Sequence, residues 1–92
     1  MASFTTRVEL HNTSDYQKLH EEMEQRGFSR EIKSSDDVWY HLPTAEYDIS
    51  GNFTRGDVLD KAQAAIDAIK KKGMILVTES AGRKWKNLEK VE

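Results

Sequence analysis

The chain begins with a segment, residues 4–10, whose side chains alternate strictly between two faces. Phe4, Val8 and Leu10 fall on one face, and Arg7 falls on the other. A period of two residues is typical of a strand with one buried face. After this segment the apolar residues recur at helical spacing instead, so the chain is predicted to combine strands with helices.

The first predicted helix covers about residues 15–26. Ser14 and Gln17 stand at the positions of a capping box, in which two side chains satisfy free backbone amides at the helix start. Gly27 stands where the helix is expected to end. The second predicted helix begins near Thr54, a good N-cap residue, and carries an apolar stripe with several alanines.

Three further segments alternate. Residues 28–33 and 38–42 flank a polar run, which predicts a β-hairpin. Pro43 cannot donate to a ladder and is expected to end or bend the second hairpin strand. Residues 45–49 either continue that strand past a bulge or form an ordered loop.

The end of the chain carries a helix stop and two candidate strands. Three lysines favour the end of the second helix, and Gly73 is the expected stop. Residues 74–78 make a short apolar strand, and residues 83–88 are a candidate for a last, charged strand.

The order strand, helix, strand, strand, helix, strand predicts a ferredoxin-like α+β sandwich, with two helices on one face of an antiparallel sheet. An extra C-terminal strand is an option. The first and third strands would then be central. Val38, Tyr40 and Leu42 would face the helices, while Trp39 and His41 would share the open face with the first strand.

Length and composition narrow the functional class. The 92 residues predict one domain, 1–92, with a core so small that a homodimer is favoured. The absence of cysteine excludes disulfides, thiolate zinc sites and cysteine nucleophiles. No apolar run resembles a signal peptide or a membrane span, so we expect a cytoplasmic protein with no membrane partner.

The formal charge of −2 hides an asymmetry. Residues 70–92 hold seven basic and three acidic side chains and carry +4, so the rest of the chain carries −6. The whole-chain charge argues against general affinity for nucleic acid, which comes from basic surface. The positive share lies at the end of the second helix and around residues 83–86.

Two groups of residues are candidates for RNA binding. Trp39, Arg7 and His41 on one sheet face would stack a base and hold a phosphate, unless Trp39 packs against a second subunit or beneath the C-terminal segment. The second group is the basic run Arg83, Lys84, Trp85 and Lys86. Its alternative role is a charged edge strand that discourages aggregation.

The three histidines, His11, His20 and His41, lack metal-ligand spacing, so neither a metal nor a cofactor is expected. His11 lies at a strand–helix junction, where a general base often sits, although a histidine there more often caps the helix or faces solvent. His20 is expected to be a partly exposed helix residue with no further role.

Five segments carry a family resemblance: residues 4–11, 27–30, 40–47 and 77–85, and the helical segment with Asp15, Tyr16, Leu19, His20 and Met23. Through them the chain resembles, from residue 4 to about residue 88, the GhoS-type endoribonuclease antitoxins of type V toxin–antitoxin systems. The resemblance implies an antitoxin that cleaves the messenger RNA of its toxin. It also implies a fold similar to the dimeric, ferredoxin-like endoribonucleases associated with CRISPR.

One departure from those CRISPR-associated relatives bears on mechanism. They carry a metal-binding aspartate at the end of the first strand, where this chain has His11, and the nearest aspartate is Asp15. This difference favours a metal-independent mechanism of RNA cleavage. In it, His11 or His41 acts as the general base, and a cationic side chain stabilises the phosphate in the transition state. The candidate phosphate ligands are Arg7, Arg30 and Arg83. The rival hypothesis is a non-catalytic homodimeric interaction or RNA-binding module.

Overall fold

A computed structural model describes residues 2–11 and 15–91. The elements are β1 (Ala2–Leu10), α1 (Tyr16–Gln25), β2 (Glu31–Lys33), β3 (Trp39–His41), β4 (Glu46–Gly51), α2 (Arg55–Ala68) and β5 (Gly73–Glu79). They form a small α+β protein with two antiparallel sheets, which confirms the predicted class. Across the described ranges, no helix is long and apolar enough to cross a membrane.

The larger sheet has three strands in the order β4-β1-β5, with β1 antiparallel to both neighbours. The prediction that β1 is central is confirmed. The prediction that residues 38–42 lie beside it is wrong, because β4 takes that place. The physical reason is burial: Tyr47 and Ile49 of β4 are fully or almost fully buried in the core, whereas Tyr40 stays half-buried.

The smaller sheet is the hairpin of β2 and β3, as predicted. The Ser34 amide donates to the Val38 carbonyl at 2.8 Å, and Asp37 adopts a φ of 62° to close the turn. Val38, Tyr40 and Leu42 were expected to face the helices, but they are half-buried and lie outside the core. The hairpin joins the larger sheet at one point, where Ser29 and Asp48 exchange backbone hydrogen bonds of 2.7 Å.

One hydrophobic core lies between the helices and the inner face of the larger sheet. Every second residue of β1 points into it, and both helices contribute one apolar stripe. Its buried members are Phe4, Val8, Leu10, Leu19, Met23, Phe28, Tyr47, Ile49, Val58, Ala62, Ala65 and Ile66. Each large side chain among them stabilises the fold by about 1.5–3 kcal/mol through burial.

The helix ends follow local chemistry. The Thr54 hydroxyl accepts from the Asp57 amide at 3.0 Å, and the Asp57 carboxylate accepts from the Thr54 amide at 2.9 Å, so the predicted cap is confirmed. Ser14, predicted to cap α1, lies outside the described residues. The predicted stop of α2 at Gly73 is wrong: the helix ends at Ala68, and Lys70 turns the chain with a φ of 58°.

The C-terminal segment does not form the optional strand at residues 83–88. It crosses the open face of the larger sheet and reaches β3 further along the chain. There the His41 amide donates to the Glu89 carbonyl at 2.8 Å, and the Val91 amide donates to the Trp39 carbonyl at 2.9 Å. The charged run before residue 89 thus stays free of ladder pairing, while residues 89–91 extend the hairpin.

Candidate hairpin site

The exposed side of the hairpin carries a cluster that we call the hairpin face: Glu31, Lys33, Trp39 and His41. The β2–β3 register places Glu31 opposite His41 and Lys33 opposite Trp39. Opposed residues of antiparallel strands point to the same side. The Lys33 ammonium lies 5.8 Å from the centre of the Trp39 ring, and His41 Nδ1 lies 3.8 Å from a Glu31 carboxylate oxygen.

Arg30 lies next to this face and shares its clefts with His41. Both residues line a cleft of about 420 Å³ against residues 87–89, and both line a second one of about 360 Å³ beside Glu24 and Phe28. The Arg30 carbonyl accepts from the Leu42 amide at 2.7 Å, which fixes its backbone beside His41. Among the described residues, the buried Arg30 Nε has no hydrogen-bond partner.

A larger cleft of about 850 Å³, the terminal cleft, opens between the hairpin and residues 80–85. Tyr40 and Trp85 meet edge to face on its wall, with ring centres 5.6 Å apart. Its charged lining consists of Lys33, Asp36, Glu79, Arg83 and Lys84. The aromatic rings are suited to stacking on a flat ring of a ligand, and the three cations outnumber the two carboxylates by one.

The Arg83 side chain binds to two residues of the larger sheet. Its guanidinium donates to the Asp48 carboxylate at 2.6 Å and to the Thr5 hydroxyl at 3.2 Å, and the ion pair is only about one-quarter and one-fifth exposed. These bonds hold the C-terminal segment on the open face of the sheet. Lys84 is exposed beside it, as is Lys86, so these two lysines keep their charges in solvent.

The predicted grouping of Arg7 with Trp39 and His41 on one open face is wrong. Arg7 lies on the larger sheet, where its guanidinium is 3.1 Å from Glu9 and 3.6 Å from Glu46, whereas the other two belong to the hairpin. The structure instead places Trp39 and His41 on the hairpin face, and it places Arg30 with His41 in the lining of two clefts. His11 is exposed at the end of β1, away from the lining of the three clefts described above.

A buried polar pair escaped the sequence analysis. His20 was expected to be partly exposed, but it is buried, and its Nδ1 lies 2.6 Å from the hydroxyl of the fully buried Tyr47. Burial, and then the Arg30 guanidinium, lower the pKa of His20. Burial raises the pKa of Tyr47. The signal was the spacing of Tyr16, His20 and Met23, which places the histidine within the apolar stripe of α1.

Comparison with known proteins provides no assignment: no family model matches the chain, and no curated protein matches it. Within residues 2–11 and 15–91, no group of three or more histidine, aspartate or glutamate side chains could hold a metal ion. The chemical case for a function therefore rests on the hairpin face, Arg30 and the terminal cleft.

Proposed function

We propose that the protein binds single-stranded RNA at the hairpin and cleaves it without a metal ion. The observation that carries the proposal is that His41 and Arg30 line the same two clefts. Trp39, which is 46% exposed, adds an aromatic surface on which a base can stack. Lys33 beside it adds a positive charge for the backbone.

In this proposal His41 acts as the general base. Its imidazole takes the proton of a ribose 2′-hydroxyl, and the resulting oxygen attacks the adjacent phosphorus. The bond from phosphorus to the 5′-oxygen breaks, and that oxygen leaves with the proton that His41 took, relayed through water, so that His41 is neutral again. Arg30 neutralises the charge that develops on the phosphate oxygens. The products are a 2′,3′-cyclic phosphate and a 5′-hydroxyl, so the atoms balance without a co-reactant.

The resemblance to endoribonuclease-type antitoxins makes the messenger RNA of a toxin the first substrate to test. This function belongs in the cytoplasm, where messenger RNA is translated. The resemblance also implies a ferredoxin-like sheet. In such a sheet the segment that leads into β2 lies beside β4, and the strand order is β2-β4-β1-β5. The Ser29–Asp48 bridge and the β4-β1-β5 order support that arrangement, with the β2–β3 hairpin as its extension.

The test uses pure protein and a labelled single-stranded RNA, with and without EDTA. Wild-type protein is expected to cut the RNA equally well in both conditions and to leave a cyclic phosphate. A His41→Gln variant should lose at least 100-fold in rate, since general acid–base catalysis contributes about 10²–10⁴-fold. Arg30→Lys keeps the charge but loses the planar fork, so its rate should fall while its fold survives.

The matched control is His11→Gln, which changes an exposed histidine outside the hairpin. It is expected to cut at the wild-type rate. An RNA with a 2′-deoxy residue at the cut site should resist cleavage, because it lacks the attacking oxygen. Cleavage that survives in His41→Gln, or that requires a divalent ion, contradicts the proposed mechanism.

The terminal cleft favours a second candidate function, RNA binding without cleavage. Trp85 and Tyr40 provide the rings, and Lys84 is an exposed cation next to them. A Trp85→Ala variant should weaken RNA binding by about 1–3 kcal/mol if a base stacks there. Salt-dependent binding with no cleavage would favour this function over the first, and the absence of both would exclude them together.

A further inference from the structure

The outer edge of β5 has no strand beside it among residues 2–11 and 15–91. The hydrogen bond from the Ser80 amide to the Ser3 carbonyl shows which residues of this strand face β1. In an antiparallel ladder the hydrogen-bonded pairs alternate. The backbone amides and carbonyls of even-numbered β5 residues therefore point toward β1, and those of odd-numbered residues point outward. The outward amides and carbonyls therefore belong to Gly73, Ile75, Val77 and Glu79.

This edge lacks the protection that exposed edge strands normally have. From residue 73 to residue 78 it holds neither a charge nor a proline, which are the usual devices against pairing. Met74 and Leu76 are 59% and 63% exposed on its open face.

We propose that β5 pairs with β5 of a second copy of this chain, antiparallel about a two-fold axis at Leu76. This register uses every outward group, because Gly73 meets Glu79 of the second copy and Ile75 meets its Val77. Four residues on each strand contribute one amide and one carbonyl, so eight hydrogen bonds form. That number is typical of a specific protein interface.

The side chains and charges agree with the same register. Residues that oppose each other point to one face, so the helices of both copies lie on the same side of a continuous six-stranded sheet. Leu76 then contacts Leu76 of the second copy. Glu79 at the end of one strand meets Gly73 of the other and therefore lies near Lys72, the residue that precedes Gly73. The interface thus combines apolar contact at its centre with opposite charges at both ends.

Introducing a charge at Leu76, on the two-fold axis, tests the register. Wild-type protein is expected to have a solution mass of twice 10.6 kDa. Leu76→Lys should be monomeric, because two lysines would oppose each other. Leu76→Glu should be monomeric for the same reason, and a mixture of the two variants should form a heterodimer. Both substitutions change an exposed side chain, so circular dichroism should show the wild-type fold.

A cysteine at the axis provides an independent measurement, since the chain has no cysteine of its own. Opposed residues at a non-hydrogen-bonded pair lie about 4.5 Å apart, within the range for a disulfide. Leu76→Cys should therefore form a covalent dimer on oxidation. Thr78→Cys should not, because its nearest counterpart in the second copy is Met74 and not residue 78.

The control is Trp39→Lys, which introduces the same charge at an exposed apolar residue far from β5 in the sheet order. It should leave the dimer intact. A monomeric wild-type protein overturns the proposal, as does a dimer that survives Leu76→Lys, whatever the result with Trp39→Lys. None of these outcomes depends on RNA, so the interface and the proposed function fail or stand separately.

Discussion

The pair of His20 and Tyr47 supports a sharp prediction about stability. Tyr47→Phe removes only the hydroxyl, and this hydroxyl lies 2.6 Å from His20 Nδ1 in a buried environment. The ring nitrogen then stays buried without its partner, which costs about 1–3 kcal/mol. A chain of 92 residues has a total stability of about 5–14 kcal/mol. A loss of about 2 kcal/mol lowers Tm by about 8–16 °C.

A double-mutant cycle separates this hydrogen bond from ordinary packing. His20→Leu alone leaves the Tyr47 hydroxyl buried without a partner and is expected to cost a similar amount. The double variant has apolar groups on both sides, so its loss should be smaller than the sum of the two single losses. We expect a coupling free energy of about 1–2 kcal/mol between the two positions.

The assay is urea unfolding followed by circular dichroism, with all four proteins at one pH and one salt concentration. The slope of free energy against urea should stay constant across the set, since the surface exposed on unfolding barely changes. Additivity of the single losses within about 0.3–0.5 kcal/mol would refute the reasoning, because independent sites behave in that way.

Three further predictions concern titration, capping and the C-terminal segment. The pKa of His20 is lowered in the folded chain, so the unfolded chain binds a proton as the pH falls below 6.5 while the folded chain does not, and stability is full above pH 6.5 and decreases below it. His20→Leu should flatten this decrease when the free energy of unfolding is measured in urea at several pH values, with His11→Leu as the control. An unchanged dependence of stability on pH in His20→Leu would contradict the prediction. Thr54→Ala should lower the free energy of unfolding by about 1 kcal/mol, because it removes the helix cap. An unchanged free energy of unfolding would mean that the cap does not stabilise the protein. Arg83→Leu should cost about 1–2 kcal/mol by leaving Asp48 unpaired, and equal protease cleavage of the C-terminal segment in both proteins would argue against its role as an anchor.

The parts of the fold that follow from local pattern could be predicted from the sequence. The alternation in β1 and the capping pair of Thr54 and Asp57 each specify their own structure within a few residues. The position of β4 could not be predicted in this way, because residues 38–42 and 45–49 alternate equally well. Tertiary packing decides between them, since only the second segment places a tyrosine hydroxyl against His20.

The candidate site shows the same limit for a different reason. Trp39 and His41 could be assigned to one strand face from their spacing, and the register confirms that they share it. Their neighbour Arg30 lies before β2, and its approach to His41 depends on how the hairpin joins β4 at Ser29. Arg83, a candidate phosphate ligand, forms an ion pair with Asp48, and this partner could not be predicted because it is distant in sequence.

The proposed dimer places the two hairpin sites far from each other. Each hairpin joins its sheet at β4, and β5 forms the opposite edge of that sheet. Six strands spaced by about 4.8 Å separate the two β4 strands by about 24 Å. Each site is therefore complete within one chain, and the dimer provides two separate sites on one surface.

This separation predicts how Leu76→Lys affects RNA binding. A short oligonucleotide that fits one hairpin should bind the monomeric variant and the wild-type dimer with equal affinity per site. A long RNA that reaches both hairpins should bind the dimer at least tenfold more tightly, because its second contact is intramolecular. Fluorescence anisotropy with the two RNAs measures this difference. Equal loss of affinity for both would mean that β5 itself contacts the RNA, which would contradict the separation of binding site and interface.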